Sequence, residues 1–138
     1  MQRLITAFLT ILPFTYMGFI WFLSSHPSDE FIETPFWFDD LLKESLHLVE
    51  FGILFWLFVL ALIRHTRLTQ KTSVIVAIIS ILYGLTDEIH QAFVPSRSAT
   101  VIDFIKDTIG VIVSYWVLKT WYFTKESTLK RVLVKFSK

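Results

Sequence analysis

From Leu4 to Leu23 the chain runs twenty residues without a charge, interrupted only by Pro13 and Gly18. At 1.5 Å per residue a helix of this length spans about 30 Å, the thickness of a bilayer's hydrocarbon core. Three more apolar stretches follow at about residues 46–63, 73–93 and 101–121. Each reaches spanning length only if a polar end is counted in. The second opens with His47 and Glu50; the third closes through Asp87, Glu88, His90 and Gln91; the fourth opens with Asp103, Lys106 and Asp107. The pattern predicts an all-α fold, a four-transmembrane-helix bundle over residues 1–123 with a short basic tail over 124–138. In that tail Leu129, Val132, Leu133 and Phe136 recur at helical spacing, with Lys130, Arg131, Lys135 and Lys138 between them. Such a segment suits an amphipathic helix on an anionic leaflet, or a disordered tail that serves only as a topology signal.

The first stretch has a second reading as a cleaved signal peptide. It is longer than the usual apolar region of 7–15 residues, and Ser24-Ser25-His26-Pro27 does not resemble a small-residue cleavage site. We expect it to be retained as a span.

Composition narrows the class. Of 138 residues, 54% are apolar and 18% charged, with 17% aromatic. A soluble domain of this size could not hide that much apolar surface from water. A net charge of +1 is too small for the global signature of a nucleic-acid binder. With no Cys, a disulfide scaffold, a thiolate metal site and a cysteine nucleophile are all excluded.

Charge also sets an expected orientation. The loop from Ser24 to Ser45 holds six acids and one base, whereas Arg64, Arg67 and Lys71 flank the second connection without an acid. Placing both termini and that second connection in the cytoplasm puts ten of the thirteen basic residues inside. Eleven of the twelve acids then fall on or near the opposite side.

Depth along the spans singles out candidate chemistry. Glu50, Asp87 and Asp107 lie at similar distances from the inner ends of their helices, about 20 Å. Ionisable residues at such depth are costly and face a bundle interior or a wet cavity. Three at one height predict a shared, outward-facing pocket. Helical spacing adds Lys43 and His47 to the face of Glu50, Gln91 and His90 to that of Asp87, and Asp103 to that of Asp107, with Glu88 at the rim. Lys106 is expected to point elsewhere. The candidate acid–base groups are Glu50, Asp87, Glu88, Asp103 and Asp107. The candidate ligand-binding groups are Lys43, His47, Gln91 and Arg97.

Asp87 and Glu88 sit toward a helix C-terminus, where negative charge is disfavoured. They call for a proton or a cation, and Arg97 in the short link after Phe93 is the nearest. Arg97 is therefore expected to hold a carboxylate, closing the bundle, or to share itself with an anionic ligand such as a phosphate. The i,i+3 pairs His47/Glu50 and Asp87/His90 have spacing used for metals in helical bundles, but the signal is short. No metal is assigned and no cofactor is identified.

The stretch DEIHQAFVPSRSATVID, followed by Asp107 and Gly110, resembles the signature of the VanZ-like family of small bacterial membrane proteins. The matching positions are Asp87, Glu88, Gln91, Phe93, Pro95, Arg97, Asp103, Asp107 and Gly110. Ser24-Ser25 at the end of the first span and Lys43, His47 and Glu50 on the second also match. The likeness covers roughly residues 15–117, with Ser96 in place of the usual Gly before Arg97. This resemblance implies a plasma-membrane protein working at the cell envelope, in a family named for low-level teicoplanin resistance. It names no reaction.

Two functions are consistent with these features. One is an outward site that binds or acts on an anionic envelope lipid or wall precursor. The other is an accessory protein that acts through a partner membrane protein, its charges being only the seam between helices. Ion or proton conduction fits poorly, because the inner halves of the spans offer little beyond Ser80, Thr86 and Ser114. Membrane lipids are expected partners; nucleic acid is not.

Overall fold

The computed structural model describes residues 1–26, 39–66, 68–95, 97, 99–124 and 128–136. The side chains of 39–47, 129, 135 and 136 lie outside that description. Four long helices form the body: α1 (Gln2–Ser24), α2 (Asp39–His65), α3 (Gln70–Gln91) and α4 (Val101–Leu118). A π-helical turn (Lys119–Thr124) continues α4, and a short α5 (Thr128–Phe136) follows. The fold is the expected all-α bundle. α1, the Leu48–His65 part of α2, and α3 are long and apolar enough to cross a membrane. α4 has 18 residues and carries Asp103, Lys106 and Asp107.

Local chemistry explains where α3 and α4 begin. The Thr69 hydroxyl accepts from the Thr72 backbone N–H, and the Thr72 hydroxyl accepts from that of Thr69, satisfying two otherwise orphaned donors. Thr100 caps α4 by accepting from the Asp103 N–H at 3.1 Å. α4 ends three residues short of the expected limit at Trp121 because the chain passes there into the π-helical turn.

Small residues decide how the helices meet. Gly110 packs directly against the Leu48 carbonyl, leaving no room for a Cβ. One turn on, a Cβ on Gly52 would lie 3.0 Å from Ser114 Oγ. The two contacts advance together, so α2 and α4 run parallel and close, a packing that small residues permit in membranes. α3 runs antiparallel to α4, with Gly84 against Asp107 and Glu88 against Thr100. The core between them holds Ile20, Phe51, Leu54, Phe55, Val59, Val111 and Leu118.

Away from this core the helices present apolar side chains outward. Phe8, Ile11, Phe14 and Phe22 on α1 are each more than half exposed, as are Ile75, Leu82 and Ile89 on α3. So large an apolar surface suits hydrocarbon rather than water.

The tail forms the short amphipathic helix that its pattern predicts. Leu133 of α5 is buried in the bundle core, which anchors the helix on the protein.

Candidate functional site

Asp87 lies in the last turns of α3 and is 1% exposed. Gln91, one turn on and also buried, donates through Nε2 to Asp87 Oδ2 at 2.7 Å. The spacing makes this contact natural, since residues four apart share a face. Among the described residues, Asp87 Oδ1 has no hydrogen-bond partner. A buried acceptor left so costs about 1–3 kcal/mol, and more when charged. Gln91 thus orients one oxygen and leaves the other buried without a donor among the described residues.

Asp107 on α4 is equally buried and packs against Gly84, one turn below Asp87 and Glu88 on α3. A Cβ on Gly84 would make ordinary contact with Asp107 Cβ at 3.5 Å and with Phe51 at 3.4 Å, so the two helices are close here without requiring glycine. Glu88, 6% exposed, accepts from the Thr100 N–H at 3.1 Å through Oε2, which ties α3 to the start of α4. Glu50 is half-buried on α2 and lies within electrostatic reach of the Tyr16 and Tyr83 hydroxyls; Asp87 also reaches Tyr83. Tyr83 in turn donates to the Met17 carbonyl at 2.6 Å, fixing α3 to α1.

The three carboxylates do not sit at one height as their sequence distances suggest. In the α2/α4 register set by Leu48/Gly110 and Gly52/Ser114, Glu50 lies five residues, about 7.5 Å, deeper than Asp107. Asp87 lies three residues, about 4.5 Å, nearer the acidic end than Gly84, which is level with Asp107. Counting from predicted span ends assumes that all helices end on one plane, and these do not. The spread is narrowed by side-chain lean. Cβ atoms tilt toward a helix's N-terminus, so Glu50 and Asp107 lean toward the acidic end while Asp87, on the antiparallel helix, leans away from it.

Arg97 departs from expectation. Its Nε donates to the His26 carbonyl and its Nη2 to the Leu23 carbonyl, each at 2.8 Å. No carboxylate pairs with it among the described residues. The Leu23 carbonyl also accepts from the His26 N–H at 3.2 Å, and the end of α1 carries the negative end of its dipole, so a guanidinium is well placed there. His90 is likewise turned to α1, stacking on Trp21 with centroids 3.8 Å apart and meeting Ser25 Oγ at 2.9 Å. The end of α1 is therefore held by Arg97, a candidate ligand contact, and by His90, half of the i,i+3 pair with Asp87.

Asp103 takes up an end-capping position. It accepts from the Thr100 hydroxyl at 2.6 Å and from Lys106 Nζ at 3.1 Å. Lys106 therefore does not point elsewhere: residues three apart are neighbours on a helix, and Asp103 is within its reach. Lys43 and His47 belong to α2, but their side chains lie outside the described residues. Among the described residues no three His, Cys, Asp or Glu side chains are placed to hold a metal ion.

One polar cluster escaped the sequence reading. At the opposite end Arg64 donates to the Thr6 hydroxyl and to Gln2 Oε1, and His65 meets Thr10 Oγ1 at 2.6 Å. Gln2, Thr6 and Thr10 recur every four residues, a polar stripe readable in the sequence but lacking an ionisable group to draw notice.

The family model VanZ/LLP1 matches residues 2–122 of the chain. None of the curated proteins and none of the solved structures matches it.

Proposed function

The chain belongs to the VanZ/LLP1 family and is a membrane protein, and on that premise we propose that its acidic end faces outward and binds an anionic envelope lipid or lipid-linked wall precursor. In this reading the protein is multi-pass in the plasma membrane, with both termini in the cytoplasm. One observation carries it: Asp87 is fully buried, aimed by Gln91, and keeps an oxygen for which the described residues provide no donor. A headgroup hydroxyl or N–H would satisfy that oxygen, and the same contact suits proton exchange with a ligand, a role Asp107 and Glu88 could share. Arg97 uses Nε and Nη2 on α1, which leaves Nη1 for a phosphate at the level of the link. The family's tie to low-level teicoplanin resistance supports an envelope setting.

The accessory reading has its own supporting observation. Arg97, Glu88 and Asp103 each spend contacts on a helix terminus, as members of a seam would. Titration of the full chain in nanodiscs with a polyprenyl monophosphate, against the uncharged polyprenol, separates the two. Saturable binding of the phosphate alone is expected. No binding of either would favour the seam and a protein partner.

A further inference from the structure

At the end of the bundle opposite Asp87, the described residues bring together Arg3, Arg64, Lys71, Lys119, Lys130 and Arg131 without an acid among them. They come from α1, α2, α3, the π-helical turn and α5, so the chain converges its bases here from five elements. The tail completes this surface. Leu133 is 3% exposed and joins the core, which fixes the rotation of α5 on the bundle. Arg131 is two residues before Leu133, about 160° away around a helix, and is exposed. Val132 and Val134 flank it, exposed at 43% and 41%.

This arrangement differs from a free amphipathic helix, which would bury its apolar face in lipid. Here the apolar anchor is spent on the protein, and the helix offers its basic side with two small apolar shoulders. Arg3, Lys71 and Lys119 are exposed around it.

We propose that this basic end is a docking surface for anionic phospholipid headgroups, with α5 held as a rigid platform that presents Arg131 to the phosphates of the adjoining leaflet. Bases at a membrane surface attract anionic lipid by an amount that adds per residue and falls with salt. The surface is separate from the Asp87 site and does not depend on what that site binds. Arg3, Lys71, Lys119 and Arg131 are exposed, so Lys119 and Arg131 can be changed without disturbing the core.

The test uses the full chain purified in detergent, with retained lipids counted by native mass spectrometry. Phosphatidylglycerol and phosphatidylcholine are offered at equal concentration. The wild type is expected to retain phosphatidylglycerol preferentially, with the preference shrinking as salt rises. The double variant Lys119→Gln, Arg131→Gln should lower that preference roughly 30-fold at low salt, at about fivefold per base. A second variant, Leu133→Ala, should release α5 and lower the preference with Lys119 and Arg131 both present. Equal retention of the two lipids by the wild type would overturn the proposal, as would an unchanged preference in a correctly melting double variant.

Discussion

Gly110 and the carbonyl oxygen of Leu48 are in direct contact across the α2/α4 crossing, and a Cβ on Gly110 would overlap that oxygen. The opposing atom is backbone, so no side chain can move aside. Gly110→Ala should therefore force the two helices apart and destabilise the protein by about 1–3 kcal/mol or more. Gly18→Ala is the matched control, because nothing lies within 4 Å of the position a Cβ would take there. Alanine is the better helix former by up to about 1 kcal/mol, so that change should be neutral or mildly stabilising. Thermal melting in detergent compares the two. Equal melting temperatures would show that the crossing does not set stability.

Arg97 holds the carbonyls of Leu23, in the last turn of α1, and of His26, just beyond it, with one guanidinium. Hydrogen bonds to a charged group contribute about 1.5–3 kcal/mol each at most, so Arg97→Ala should cost about 2–4 kcal/mol. Lysine keeps the charge at the helix C-terminus but cannot serve both carbonyls in a fixed fork, so Arg97→Lys should recover about half. Hydrogen exchange at residues 20–26 reads this directly: protection should fall in the order Arg, Lys, Ala. If the Lys variant melts like wild type yet fails to bind phosphate, the third guanidinium nitrogen serves the ligand.

Thr100 and Asp103 close the first turn of α4 reciprocally, and Lys106 adds a partly exposed ion pair. Thr100→Ala should cost about 1 kcal/mol, as loss of an N-cap does. Lys106→Gln should cost less than about 1 kcal/mol, because water screens a pair of this exposure. Neither change should alter ligand binding at Asp87. A large binding defect in Lys106→Gln with normal melting would move Asp103 and Lys106 into the site.

Orientation is tested by reporter fusions after Ser28 and after Gln70. The charge split predicts that the Ser28 fusion reports outside and the Gln70 fusion inside. An outside signal at Gln70 would invert the whole account and turn the Asp87 site toward the cytoplasm.

The helices were legible because membrane spans are written in hydropathy, and the polar ends of α3 and α4 marked the acidic end at once. α2 was underestimated, beginning at Asp39 rather than near residue 46, because its first turns are as polar as a loop. Register was not legible. It depends on Gly52 and Gly110 letting backbones approach, and a glycine's effect on height is invisible until its neighbour is known. Arg97 was misread for a related reason. Its partners are the carbonyls of Leu23 and His26, and backbone carbonyls leave no trace in residue identity. Carboxylates were the visible candidates, so they drew the pairing. The Asp87–Gln91 bond was within reach of a spacing argument, and both residues had been placed on one face.

The most direct test of the outward site is Asp87→Asn, measured as binding of a polyprenyl phosphate that carries a sugar, whose hydroxyls can donate to Asp87, to the full chain in nanodiscs. Asparagine matches aspartate in shape, and its amide oxygen can still accept from Gln91. Its other atom becomes an NH2 donor where Asp87 presents an acceptor, and the charge is gone. If Asp87 contacts the ligand, membrane abundance and melting should stay near wild type while affinity falls at least about tenfold, the equivalent of about 1.4 kcal/mol. Unchanged affinity in a normally folded Asp87→Asn protein would contradict the account, leaving Asp87 and Gln91 as part of the seam between helices.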